Sequence, residues 1–203
     1  METLSRADHP TDGRWRWLAL GASTGGPAAL HDLLAQLPAP PPLCVLIVQH
    51  IAAGFERELA GWLASSLNLD VRVALDGERP GPGTVRVAPP DSHLRVTASG
   101  RLALDFATAP RRGHRPSVDE LLLSLAAVAP HETVAVILSG VGNDGAEGLL
   151  ALRRAGAFCL AQNQSSSAVF GMPSAARELG GAELSLSPRA LGCELARRLH
   201  EQT

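Results

Sequence analysis

Residues 15–27 read Trp15-Arg16-Trp17-Leu18-Ala19-Leu20-Gly21-Ala22-Ser23-Thr24-Gly25-Gly26-Pro27. An apolar run breaks there into a glycine-rich turn, followed by a proline suited to the first turn of a helix. Strand, turn and helix in that order make the opening unit of an α/β fold. Such a turn can cradle a phosphate, seat a dinucleotide or expose a reactive serine.

The unit recurs along the chain. Leu30, Leu33, Leu34 and Leu37 keep helical spacing, and Pro38 to Pro42 end that helix. Leu43 to Val48 is a continuous apolar run, as in a parallel strand covered on both faces, and it leads into Gln49-His50. Phe55, Leu59, Trp62 and Leu63 mark one face of a second helix. The middle differs. Val71 to Leu75 and Thr84 to Val87 alternate with period two, and His93–Thr97 with Arg101–Asp105 read as a hairpin with one solvated face. Ser117 and Glu120 match a capping box before Leu121, Leu122 and Leu125. Thr133 to Leu138 is a further buried strand that runs into Ser139-Gly140-Val141-Gly142-Asn143-Asp144-Gly145. A helix from about Ala146 to Gly156, strands at Ala157–Ala161 and Glu183–Leu186, and a helix opening at Ser187-Pro188 complete the pattern. The expected architecture is α/β: one doubly wound, mostly parallel sheet flanked by helices, with a short antiparallel hairpin. Residues 1–14 are expected to be a loose N-terminal segment, and residues 15–203 one domain.

Composition narrows the chemistry. A chain of 203 residues with a formal net charge of −2 has no general attraction to nucleic acid or anionic membranes. Every basic residue is Arg, which removes lysine Schiff-base chemistry and any Walker lysine. Cys44, Cys159 and Cys193 lack metal-ligand spacing and read as small buried hydrophobes of a reducing compartment. The first residues lack the apolar core of a signal peptide, and no apolar run reaches membrane-spanning length. The expected location is therefore cytoplasmic, without membrane insertion.

Ser23 follows the first strand, His50 ends the second, and Asp144 follows the strand Thr133–Leu138. In an open parallel sheet, chemistry collects beyond the carboxyl ends of the strands. These three positions can therefore deliver a nucleophile, a base and an orienting carboxylate to one edge, as acyl transfer requires. Gly21, Gly25 and Gly26 give an exposed serine neighbours without bulk, and Gly140, Gly142 and Gly145 let backbone approach a bound group. Ser23 occupies the middle glycine of a Rossmann fingerprint, which disfavours a dinucleotide. Gly21-Ala22-Ser23-Thr24-Gly25 matches the Gly-x-Ser-x-Gly elbow formally, but the order Ser, His, Asp differs from that of α/β-hydrolases. On spacing alone, a serine hydrolase, an anion-binding loop and a purely structural turn stay open. His93 and His114 read as loop or hairpin residues that could line a cleft, Asp119 as a first-turn helix charge, and Arg111, Arg112 and Arg115 as a solvated loop able to meet an acidic partner.

Five blocks in order carry a resemblance: Gly21-Ala22-Ser23-Thr24-Gly25-Gly26, Val48-Gln49-His50, Arg115-Pro116-Ser117-Val118-Asp119, Leu138 to Ala146, and Phe170-Gly171-Met172-Pro173. Together they resemble the catalytic domain of the CheB family, the chemotaxis protein-glutamate methylesterases. The resemblance implies cofactor-free, metal-free hydrolysis of glutamyl methyl esters on the cytoplasmic helices of chemoreceptors, and in many members deamidation of glutamines. It puts the catalytic serine, histidine and aspartate on Ser23, His50 and Asp144, and oxyanion-site backbone groups on Thr24 and Val141. Three departures accompany it. The chain begins almost at the catalytic domain, so the family's N-terminal receiver domain is expected to be missing. The usual Met at position 141 is Val. The usual Ala-Gln-Asp-Glu is Ala161-Gln162-Asn163-Gln164, which removes two charges and leaves room for another methylated protein or a small ester as substrate.

Overall fold

In the computed structural model, which describes residues 14–202, the opening apolar run forms strand β1 (Trp17–Ala22), buried along its whole length. β2 (Cys44–Gln49) and β7 (Thr133–Ile137) flank it in parallel, with Trp17 opposite both Cys44 and Thr133. Beyond β2 lie β4 (Thr84–Val87) and β3 (Asp70–Val73); beyond β7 lie β8 (Phe158–Gln162) and β9 (Leu184–Leu186). The sheet runs β3-β4-β2-β1-β7-β8-β9, and every pairing in it is parallel. β5 (His93–Val96) and β6 (Leu102–Asp105) form a separate antiparallel ribbon, as the alternation there predicts. The expected loose segment falls almost entirely on residues 1–13, which lie outside the described residues.

Strand side chains alternate between two cores. Leu18, Leu20, Val45, Ile47 and Val136 face one cluster, with Leu30, Leu33, Leu63, Leu191 and Leu195. Those partners come from α1 (Gly26–Leu34), α2 (Glu56–Leu67) and α6 (Pro188–Glu201). Trp17, Ala19, Leu46, Ala135 and Ile137 face the second cluster, built by α3 (Val118–Val128), α4 (Ala146–Arg154), α5 (Met172–Glu178) and the β5–β6 ribbon. Burial on both faces is why the central strands read as unbroken apolar runs.

Several local expectations need correction. Phe55 precedes α2 and is 59 % exposed, while Trp62 is 43 % exposed and stacks on His31. The buried face of α2 is Leu59, Ala60 and Leu63, because the helix lies on the sheet through small and branched residues. The period-two segments β3 and β4 are parallel strands of the main sheet. β3 is the edge strand and β4 its inner neighbour, where Arg86 pairs with Asp70 and Glu78 and not with a helix. Helix α5 has no long apolar stripe to announce it, since only Met172, Pro173 and Ala176 are buried. Cys44 and Cys159 are buried, and desolvation pushes their thiols up to about 11 and about 12, whereas Cys193 is exposed on α6.

Candidate active site

Strand order reverses at β1: the chain leaves β1 for β2 on one side, and its other neighbour is β7. Crevices at such reversals, outside the carboxyl ends of the strands, are where open α/β sheets bind ligands. Hydrogen bonds at this crevice tie three chain segments together. The His50 N–H donates to the Ala22 carbonyl at 2.9 Å, one step past the Ala22–Gln49 register pair. Gln49 Nε2 donates to the carbonyls of Ser23 and His50, each at 2.9 Å. On the other side, the Ser23 N–H donates to the Ser139 carbonyl at 2.9 Å. Ser23 and His50 therefore sit at adjacent strand ends, and the loop after β7 lies against the serine.

Asp144, 1 % exposed, closes that loop just ahead of α4. His50 Nε2 lies 2.9 Å from Asp144 Oδ2. The carboxylate also accepts from Ser117 Oγ at 2.7 Å, from the Val118 N–H at 2.7 Å and from the Asp119 N–H at 3.1 Å. Two of these donors are free N–H groups at the start of α3, where the helix dipole favours an anion. Burial pushes the Asp144 carboxyl up, but hydrogen bonds from His50, Ser117, Val118 and Asp119 outweigh it and hold the group below the usual carboxylate range. The expected capping box is thus absent. Ser117 makes no side-chain cap and instead holds Asp144, while Glu120 pairs with Arg95 and Arg111.

An ionised Asp144 can only accept, so it fixes the hydrogen of a neutral His50 on Nε2 and leaves the Nδ1 lone pair available. His50 Nδ1 is buried and has no hydrogen-bond partner among the described residues. The imidazole of His114 lies flat on that of His50, with centroids 3.8 Å apart and planes 3° from parallel. Burial, then the nearby His50, lower the His114 pKa, against a smaller opposing effect of Asp144. His93, by contrast, is fully buried and satisfied: Nε2 meets the Ala109 carbonyl at 3.2 Å and Nδ1 accepts from the Ser117 N–H at 3.2 Å.

The turn carrying Ser23 is locked from below. Gly25 has φ 79°, and a Cβ there would lie 2.6 Å from Ala168 Cβ, so both conformation and space demand glycine. Ser139 Oγ donates to the Thr24 carbonyl at 2.7 Å and accepts from the Val169 N–H at 3.0 Å. The Ser139 N–H donates to the buried Gln162 Oε1 at 2.7 Å. A Cβ on Gly140 would lie 2.3 Å from Met172 Sδ and 2.7 Å from Ser23 Cβ. Gly140 and Gly145 thus admit neighbouring protein, not a ligand; only Gly142, with nothing within 4 Å, faces open space. Thr24 and Val141 are exposed, and among the described residues their N–H groups donate no hydrogen bond.

Two further expectations change. Arg111 pairs with Asp119, Glu120 and Glu147, and Arg112 with Asp119 and Glu147, so these guanidiniums are neutralised within the fold and not left to a partner. Asp119 is fully buried, where desolvation pushes its carboxyl up even though it accepts from the Gly148 N–H at 2.7 Å. Asn163 uses Oδ1 to accept from the Ser166 N–H and Oγ at 3.2 and 2.6 Å, a local turn contact that a carboxylate would make equally well. Sequence reasoning named Ser117 and His114 but not their contacts, which bring both side chains onto the His50–Asp144 pair. Ser117 lay in plain view three residues before Glu120, inside a pattern with a simpler helical explanation.

The family model for CheB methylesterase matches residues 18–195. A protein of Anaeromyxobacter dehalogenans named protein-glutamate methylesterase/protein-glutamine glutaminase 3 is 51 % identical over 187 residues, covering 92 % of this chain and 55 % of its own. The Escherichia coli K12 protein-glutamate methylesterase/protein-glutamine glutaminase is 46 % identical over 167 residues, covering 81 % of this chain and 47 % of its own. The chain thus spans about half the length of the curated relatives it matches. The crystal structure of the Thermotoga maritima CheB methylesterase catalytic domain superposes with a TM-score of 0.85 at 34 % identity, over 93 % of this chain and 99 % of that one. Sequence and fold agree along nearly the whole described length, and the chain belongs to the CheB methylesterase family.

Proposed function

We propose that this chain hydrolyses glutamyl methyl esters on the cytoplasmic helices of methylated chemoreceptors, with Ser23 as nucleophile, His50 as general base and Asp144 as its orienting carboxylate. The observation that carries the reading is the 2.9 Å His50 Nε2–Asp144 Oδ2 contact beside Ser23, which leaves His50 Nδ1 buried and unpartnered. His50 Nδ1 takes the Ser23 proton as Oγ attacks the ester carbonyl, and Asp144 stabilises the resulting imidazolium. The N–H groups of Thr24 and Val141 receive the negative charge that forms on the carbonyl oxygen. Collapse breaks the bond to methoxide, which leaves as methanol with the proton from His50. Water, deprotonated by the same nitrogen, then cleaves the glutamyl–serine ester. A glutamine amide follows the same path with ammonia as leaving group, in keeping with the double names of the relatives.

The reaction draws on no cofactor or metal, and its substrate places it in the cytoplasm. Among the described residues no helix is long and apolar enough to cross a membrane. Because Asn163 is engaged in its own turn, the loss of charge there does not by itself redirect the site to another ester. Incubation with a fluorophosphonate, which mimics the tetrahedral intermediate, tests the assignment. Mass spectrometry should find the adduct on Ser23, and Ser23→Ala should abolish it. An unreactive wild type, or an adduct elsewhere, would overturn the nucleophile.

A further inference from the structure

The geometry points to His114 as a positioning residue for His50: a second imidazole whose face holds the base in the plane that keeps Nε2 on Asp144 and Nδ1 free for the serine proton. This inference rests on the reading of His50 as the general base. His114 is only half-buried, and among the described residues its ring makes no hydrogen bond; its one ring contact is the stack on His50. His93 shows what a structural histidine in this fold looks like, with both ring nitrogens engaged. Nothing in packing or hydrogen bonding explains an imidazole at position 114 apart from its neighbour.

The chain goes to some length to deliver that ring. Arg111 and His114 exchange backbone hydrogen bonds of 3.0 and 2.9 Å around a tight turn, with Arg112 at φ 51° and Gly113 at φ 84°. Arg111 fastens the turn to Asp119 and Glu120 of α3 at 3.3 and 3.2 Å and to Glu147 of α4 at 2.8 Å, and Arg112 reinforces the contact with Glu147. α3 supplies the N–H groups that hold Asp144, and Asp144 leads into α4. The second imidazole, the base and the carboxylate are therefore referenced to the same two helices. A ring displaced from its attack geometry loses rate steeply, so a fixed plane has catalytic value.

Charge supports the same role. The titratable groups acting on His114 are His50 from the end of β2 and Asp144 ahead of α4, and Arg111, Arg112 and Arg115 share its loop, with Arg111 and Arg112 engaged by Asp119, Glu120 and Glu147. Burial and the proximity of His50 favour a neutral His114. When His50 takes the serine proton, its cation then rests on a neutral π face and not against a like charge.

Three substitutions test this, read by the pH dependence of fluorophosphonate labelling of Ser23 and by thermal melting. His114→Ala should slow labelling about tenfold to a hundredfold on the plateau, the scale of a lost orienting contact. His114→Phe keeps a flat ring and should stay within about threefold of wild type. His114→Arg places a permanent cation on His50 and should shift the acid limb to lower pH, because a like charge disfavours the imidazolium. Wild-type labelling by His114→Ala, or a His114→Phe variant as slow as His114→Ala with an unchanged melting temperature, would overturn the inference. His50→Gln separates the two levels. If it labels like wild type, the base assignment itself fails; if it is inert while His114→Ala is unaffected, only the role of His114 fails.

Discussion

Asp144 gathers donors from a histidine, a serine hydroxyl and two backbone N–H groups, and each removes a reason for it to take a proton. A carboxylate whose pKa is lowered on folding contributes stability that is complete above the unfolded value of about 3.9 and is lost as pH falls through the folded value. Ser117→Ala deletes one donor from a fully buried anion, so stability should fall by about 1–3 kcal/mol. The folded pKa rises towards the ordinary value, so the acid loss of stability should be smaller and end at higher pH than in the wild type. Melting temperatures between about pH 2 and pH 5 measure this. Curves of identical shape for wild type and Ser117→Ala would contradict the assignment of Ser117 to Asp144. At this scale the sequence was partly legible. Ser23, His50 and Asp144 stand out because each follows an apolar run whose end can be located. Ser117 meets a partner 27 residues away and His114 one at the far end of β2, and no local pattern encodes such contacts.

Elements explain why those residues meet. The loop after β7 reaches Ser23 only because Gly140 lets Met172 and the serine close in from either side. Gly140→Ala would force one of them away, and overpacking of this kind costs about 1–3 kcal/mol. The melting temperature should fall by about 2–4 °C per kcal/mol at this chain length, with slower labelling of Ser23. Unchanged melting and labelling would contradict the close approach. The block Phe170-Gly171-Met172-Pro173 acquires a physical meaning here. Gly171 abuts the Gly140 carbonyl and the Gly142 N–H, and Met172 seats Gly140. Helix α5, which this block opens, escaped sequence reading because its seven residues are too short for a periodic stripe. The central strands were legible for the opposite reason, since burial on both faces leaves an uninterrupted apolar signal. The exposed faces of Phe55 and Trp62 show the limit of such patterns: helical spacing assigns residues to a face, but not that face to the core.

Across the molecule, the sheet and the loops beyond its strands bring Ser23, His50 and Asp144, the proposed catalytic groups, to a single crevice between the two helical layers. Arg111 and Arg112, which the sequence offers as a receptor-facing patch, instead brace α3 and α4 through Asp119, Glu120 and Glu147. Loop charges read from sequence carry a sign but no address, and only the fold shows that their partners are internal. Recognition of an acidic receptor helix consequently cannot draw on those two guanidiniums without breaking ion pairs that hold the site together. Methanol release from methylated chemoreceptor reads the proposed reaction of Ser23 with a protein ester without an intervening step. Wild-type chain should release methanol catalytically, and Ser23→Ala should lose about 10⁶ in turnover, as loss of a triad nucleophile does. Equal release by Ser23→Ala, or none by a wild type that still labels at Ser23, would contradict the account.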